Sequence, residues 1–192
     1  SDSWEVPQTC AIINTREFRR GVCSVITRFE GEAFELSLNI ILSLSESSDE
    51  QKRLLCADTA LCGAIVATVL HSSSSSGSGS VPVALEQAAL SIFYNLSTCE
   101  ENIGRLWSAE YDMVSVLTYL LSSRSARLRL TALGILLNMS ARIEEVHFSS
   151  TTPLDLIAAL LSVLSQERGE VRECALGVLY DLLSIKKCVT GV

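Results

Sequence analysis

The chain has 192 residues, 48% of them hydrophobic and only 19% charged, with a formal net charge of −7 at pH 7 and a mean hydropathy of +0.34. That length holds one domain with a sizeable core or two small ones, and so apolar a composition, with three Pro and ten Gly, excludes general disorder. The acidic balance argues against specific or non-specific nucleic-acid binding, which draws affinity from Lys and Arg displacing counterions. Every apolar run is broken well before ~18 residues, so no membrane-spanning helix is expected.

Helical spacing begins near residue 14. Phe18, Arg19, Val22, Cys23, Val25 and Ile26 share one face, with Arg19 the discordant member. Ala33, Leu36, Ser37, Ile40, Ile41 and Leu44 then recur at the spacing of a buried helical stripe. Ser48, Asp49 and Glu50 supply a cap and first-turn acids to a short helix holding Arg53, Leu54 and Leu55. Leu61, Cys62, Ile65, Val66, Thr68 and Val69 repeat the first face. The Ser- and Gly-rich stretch 71–80 follows, which no packed helix would use; it is a tolerated insertion or a phosphorylatable tether.

Beyond it the same order returns. Leu85, Ala88, Ala89, Ile92, Phe93 and Leu96 restore the stripe, and Thr98 to Glu101 repeat the cap and acids. Arg105, Leu106 and Trp107 match the short helix, which favours a core role for Trp107 over an exposed hot spot shared with Tyr111. Met113, Val114, Leu117, Thr118, Leu120 and Leu121 give the second helix again, followed by the stripe Leu128, Thr131, Ala132, Ile135, Leu136 and Met139. Leu156, Ile157, Leu160, Leu161, Val163 and Leu164, then Val171, Cys174, Ala175, Val178, Leu179 and Leu182, complete the series.

Alignment of Leu38, Leu90, Leu133 and Leu176 gives spacings of 52, 43 and 43. Removing nine residues from the Ser-rich stretch restores one period, within the 40–47 range of helical repeat arrays. A second apolar row, Leu38/Leu42, Leu90/Tyr94, Leu133/Leu137 and Leu176/Tyr180, predicts that each stripe helix is sandwiched between neighbours. The expected organisation is one domain over 1–192, with repeats at about 14–47, 48–98 (insertion 71–80), 99–141 and 142–186, the first lacking its short helix. Repeat arrays need polar end caps, so the chain is expected to be a fragment of a longer protein.

Ala-Leu-x-x-x-x-Asn-x-Ser stands at Ala89 to Ser97 and at Ala132 to Ser140. With three helices per unit, this pattern resembles the armadillo family over nearly the whole chain. The resemblance implies an all-α, right-handed α-solenoid of about four armadillo-like repeats. It also implies that third helices line a concave face, where Asn side chains clamp the backbone of an extended peptide; a carboxamide can pair with any peptide group. Carried over, that position is held by Asn95 and Asn138, with Ser43 and Asp181 in the outer copies. One turn earlier stand Asn39, Ser91, Gly134 and Gly177, where nuclear-import adaptors of the family carry Trp, so a nuclear-localisation-signal receptor is not expected. Asn39, Ser43, Ser91, Asn95, Asn138, Arg142 and Asp181 are therefore the candidate partner-binding residues. The same Asn residues could instead bond a neighbouring repeat, and Gly134 and Gly177 favour close helix packing over opening a groove.

The function expected is protein–protein interaction, with a basic or apolar peptide or helix as partner. The alternatives are an oligomerisation core using Phe18, Phe34 or the terminal helix, and an accessory domain of a chaperone or enzyme assembly. No catalysis, cofactor or metal is expected: His71 and His147 have no ligand or triad partners at suitable spacing. The carboxylates cluster at helix starts, where acids suit the dipole. Two arginine clusters, Arg16, Arg19 and Arg20, and Arg124, Arg127 and Arg129, read as solvated edges. Seven cysteines, an odd number with no Cys-x-x-Cys pair, argue against a disulfide framework. Without a secretory signal at the start, a reducing cytoplasmic or nuclear setting is expected. Sequons at Asn95 and Asn138 lie inside helical runs, which disfavours glycosylation.

Overall fold

A computed structural model describes residues 15–28, 31–74, 83–108, 111–142 and 154–189. Among them are ten α-helices and no strand. They are α1 (Arg16–Ile26), α2 (Gly31–Ser45), α3 (Asp49–Cys56), α4 (Thr59–Ser74) and α5 (Val83–Ser97). After a 3-10 turn at Glu100–Asn102 come α6 (Ile103–Trp107), α7 (Met113–Leu120), α8 (Ala126–Ser140), α9 (Leu154–Gln166) and α10 (Glu170–Val189). The first helix expected in the last repeat, with His147, lies outside the described residues, as does Trp4. No single described helix is long and apolar enough to cross a membrane.

Packing divides the chain into two compact units, Ser1–Ala89 and Leu90–Val192. In the first, α1 lies on α2 and α4, and α3 bridges α2 and α4. Thr15 caps α1 by accepting from the Phe18 amide, and Ser48 caps α3 by accepting from that of Gln51. The expected Ser48 cap is present. Thr98 does not act likewise: its hydroxyl donates to the Asn95 carbonyl at the end of α5, and Cys99 occupies the cap position, its thiol donating to Glu101 Oε2 at 3.1 Å and not accepting from a helix amide. A further departure is α4, which continues into the Ser-rich stretch as far as Ser74. Once a helix is nucleated, each added residue gains a backbone bond at little cost, so even Ser prolongs it.

In the second unit α7 packs on α8 and α9, and α10 packs on α8 and α9, so second helices stack on second helices and third on third. The stripes of α5 and α8 are buried at Leu85, Ile92, Phe93, Leu96, Leu128, Ile135, Leu136 and Met139. Trp107 and Tyr111 are buried as well, so both are core. The second-helix face is likewise closed at Met113, Leu117, Leu120, Leu156 and Leu160.

Several expectations of burial fail: Tyr94 of the second apolar row is exposed although it lies against Gly134, and the others lie where no further described helix covers the row. On α2, Ala33, Leu36 and Ile40 are exposed although their stripe mates Ser37 and Ile41 are buried. On α10, Leu176 and Tyr180 of the second apolar row are exposed, and on α9 so is Leu161. Hydrophobic residues are drawn inward only where a neighbour completes the contact. Phe34, proposed above for a dimer interface, is fully buried and Phe18 half-buried.

The discordant Arg19 is explained. Its Nε donates to Asp58 Oδ2 at 3.0 Å across the α1–α4 joint. Asp58 also accepts from the Leu61 amide through Oδ1, capping α4. In the second unit Arg129 is paired with Glu167 and donates to the Ser123 carbonyl at 2.6 Å. Each arginine cluster thus holds one residue that is not a solvated edge, while Arg16, Arg20, Arg124 and Arg127 are exposed. Cys23, Cys56, Cys62, Cys99 and Cys174 are free thiols, three of them buried.

Candidate protein-binding surface

In the second unit the candidate row lies where one third helix meets the one before it. A Cβ added at Gly134 would stand 3.0 Å from Tyr94 Cε2, and at Gly177 2.9 Å from Leu137 Cδ1. These glycines therefore permit close approach of α8 to α5 and of α10 to α8. One turn on, Asn138 Nδ2 donates to Ser97 Oγ at 3.0 Å, and Ser140 Oγ donates to Asp181 Oδ2 at 2.9 Å. Opposed positions advance together along both helices, 94 with 134 and 97 with 138, so consecutive third helices run parallel.

The two polar joints solve one problem with different chemistry. Ser97 is fully buried and donates its single proton to the Tyr94 carbonyl at 2.7 Å, which leaves its lone pairs for Asn138. Asp181 is an acceptor and cannot donate to a serine as Asn138 does. Ser140 must therefore turn its proton to the carboxylate, and its contact with the Leu137 carbonyl is correspondingly long at 3.3 Å. Each such bond contributes about 1 kcal/mol net.

These contacts do not remove the row from solvent. Ser91, Asn95, Asn138 and Asp181 are half-buried and Arg142 is exposed, its Nη1 donating to the Asn138 carbonyl at 3.3 Å. The bond to Ser97 uses one of the two amide protons of Asn138, so its carboxamide keeps donor and acceptor capacity. The second unit thus brings Asn138, Arg142 and the Ser97 hydroxyl together, with Asp181 joined to the same helix through Ser140. In the first unit Asn39 and Ser43 are exposed one turn apart on α2.

Sequence reasoning did not find Ser97, Ser140 or Asn102. The two serines close the Asn-x-Ser signature, which could have marked them as partners of a polar residue one repeat later. Asn102 is buried and donates from Nδ2 to the Leu96 carbonyl at 3.1 Å, closing the end of α5.

Two other recesses offer less. A cavity of about 240 Å³ lies beside Ser123, Arg129, Ser162 and Glu167, but its one cation is already neutralised by Glu167. A wider cleft in the first unit borders Arg16, Arg19, Arg20 and Asp58, where Asp58 offsets the positive charge. Among the described residues no group of three or more His, Cys, Asp or Glu could hold a metal ion. Burial pushes the Cys174 thiol up, helped by Glu170 and Glu173; burial and then Asp58 do the same to Cys23.

No protein-family model matches the sequence, and no curated protein does. Solved structures do match. An engineered protein aligns over 86% of this chain and 62% of its own length, with a TM-score of 0.66 and 16% identity. A computationally designed armadillo repeat protein for modular peptide recognition aligns over 86% of this chain and 69% of its own, with a TM-score of 0.64 and 16% identity. Another designed armadillo repeat protein, solved in complex with the peptide (KR)4, aligns over 85% and 70%, with a TM-score of 0.60 and 15% identity. The chain spans less than two thirds of the first of these proteins. The fold is therefore that of armadillo repeats, all-α over the described residues.

Proposed function

We propose that the chain is a non-enzymatic protein-binding module that takes an extended peptide along its third helices. The observation that carries the reading is the pair Asn95 and Asn138: two carboxamides at one register, 43 residues apart, half-exposed beside the buried stripes of α5 and α8. Such groups match the donors and acceptors of a peptide backbone whatever its side chains. Peptide recognition by designed proteins of this fold supports the reading. The net charge of −7 and the Asp181 carboxylate favour a partner with basic residues. The engagement of Asn138 by Ser97 is compatible with this role, because a ligand that competes for one amide proton still finds the other.

The test is a titration of extended peptides, (KR)4 among them, onto the whole chain, followed by fluorescence anisotropy. At least one peptide should bind, and N95A/N138A should weaken it about tenfold or more, as expected for two bonds of about 1 kcal/mol. Absence of binding across the panel, or unchanged affinity in the double variant, would contradict the proposal.

A further inference from the structure

The third helices meet through two complementary rows. On α8 the row offered to the next helix is Leu133, Leu137 and Ser140, and α10 covers it. At the same register α10 offers Leu176, Tyr180 and Leu183, which are 49%, 73% and 55% exposed, whereas Leu133 is at 0%. On the receiving side, α8 and α10 set Gly134 and Gly177 against the helix before, and Ile135 and Val178, next in sequence, are completely buried. The residue of α2 at that register is Ile40, 41% exposed beside Leu36 at 55%. One molecule therefore displays both halves of a joint that it makes internally.

We propose that a second copy of this chain docks head to tail, the receiving row of its α2 packing in parallel on the offered row of α10. The chemistry of the two rows agrees. Leu183 stands where Ser97 and Ser140 take part in polar bonds, and Ser43, small and exposed, stands where Asn138 and Asp181 reach back. Neither buried hydroxyl nor carboxylate is then left without a partner. Arg172, exposed in the first turn of α10, holds the register at which Arg129 pairs with Glu167. Glu32 and Glu35, exposed at the start of α2, bring negative charge to the same end of a parallel pair. Asn39 faces Tyr180 where Gly134 faces Tyr94, so the tyrosine must turn outward, as the 43% exposure of Tyr94 shows it can. Such a contact is heterologous, each copy using a different row at each end, so further copies can add to the first pair.

Sedimentation of the whole chain from micromolar to millimolar concentration tests this. The wild type should give a ladder of dimers and higher species. Tyr180→Glu on α10 and Ile40→Glu on α2 should each give monomers with unchanged far-UV circular dichroism, both sites being exposed. An equimolar mixture of the two variants should restore a dimer and nothing larger, because only one intact row of each kind remains. A wild type that stays monomeric overturns the proposal, and so does association that Tyr180→Glu abolishes and Ile40→Glu leaves intact, the mark of a symmetric α10 contact.

Discussion

The offered row of α8 and the offered row of α10 stand at one register, Leu-Leu-Ser against Leu-Tyr-Leu, and the second is the more apolar at its end. One is buried and the other is largely exposed. Composition and period decide which side of a helix is apolar; only the presence of a covering helix decides whether that side leaves water. The same contrast separates Ile40 from Ile135. Among the described third helices, α2 and α10 keep such a row available for contact.

The largest effect expected from this contrast is at Ile40 and Ile135. Ile135→Lys places an unpaired charge in a closed joint and should abolish cooperative unfolding or cost several kcal/mol. Ile40→Lys should change stability by less than about 0.5 kcal/mol in chemical denaturation. A similar cost for both would remove the distinction between covered and uncovered rows. Next come the glycines. Gly134→Leu should destabilise by about 1–3 kcal/mol, because the added side chain must displace Tyr94. A Cβ added at Gly63 would meet nothing within 4 Å, so Gly63→Ala should stabilise by about 0.5–1 kcal/mol; thermal unfolding of the two decides.

Smaller still are the polar joints. Ser97→Ala should cost about 1 kcal/mol through loss of the Asn138 bond. Asp181→Asn should be almost neutral, since Asn can donate to Ser140 as Asn138 does to Ser97. The smallest effect concerns the thiols. Cys174 and Cys23 have raised folded-state values, so their contribution is fully present below the ordinary thiol range and declines as pH rises through it. Stability should therefore fall slightly between about pH 8 and pH 10. Alkylation of both at about pH 7.5, below the ordinary thiol range, should be slower in the native chain than in urea; equal rates would show that neither burial nor Asp58, Glu170 and Glu173 restrains them.

The repeat was readable because the stripe is written four times, and Trp107 could be placed inside because its counterpart Leu55 is an ordinary core residue. Arg19 could not be understood alone, since its reason is Asp58 on another helix. Similarly, the polar row was legible as a row, but its direction was not. Whether Asn138 points to a ligand or back to Ser97 depends on the helix separation that Gly134 allows, and distance between helices is not encoded in the spacing of residues along one of them. The exposure of Leu36 and Leu176 was hidden for a related reason: identical stripes look equally buried until their neighbours are known.

The most direct test of the copied register is the set Leu38→Ala, Leu90→Ala, Leu133→Ala and Leu176→Ala, each measured by equilibrium denaturation at a concentration where the chain is monomeric. The first three residues are fully buried and the last is half out of contact, so the expected result is a loss of about 2–5 kcal/mol for each of three variants and under about 0.5 for Leu176→Ala. If Leu176→Ala cost as much as Leu133→Ala, or if any of the other three were neutral, the four helices would not share one register and the account would be wrong.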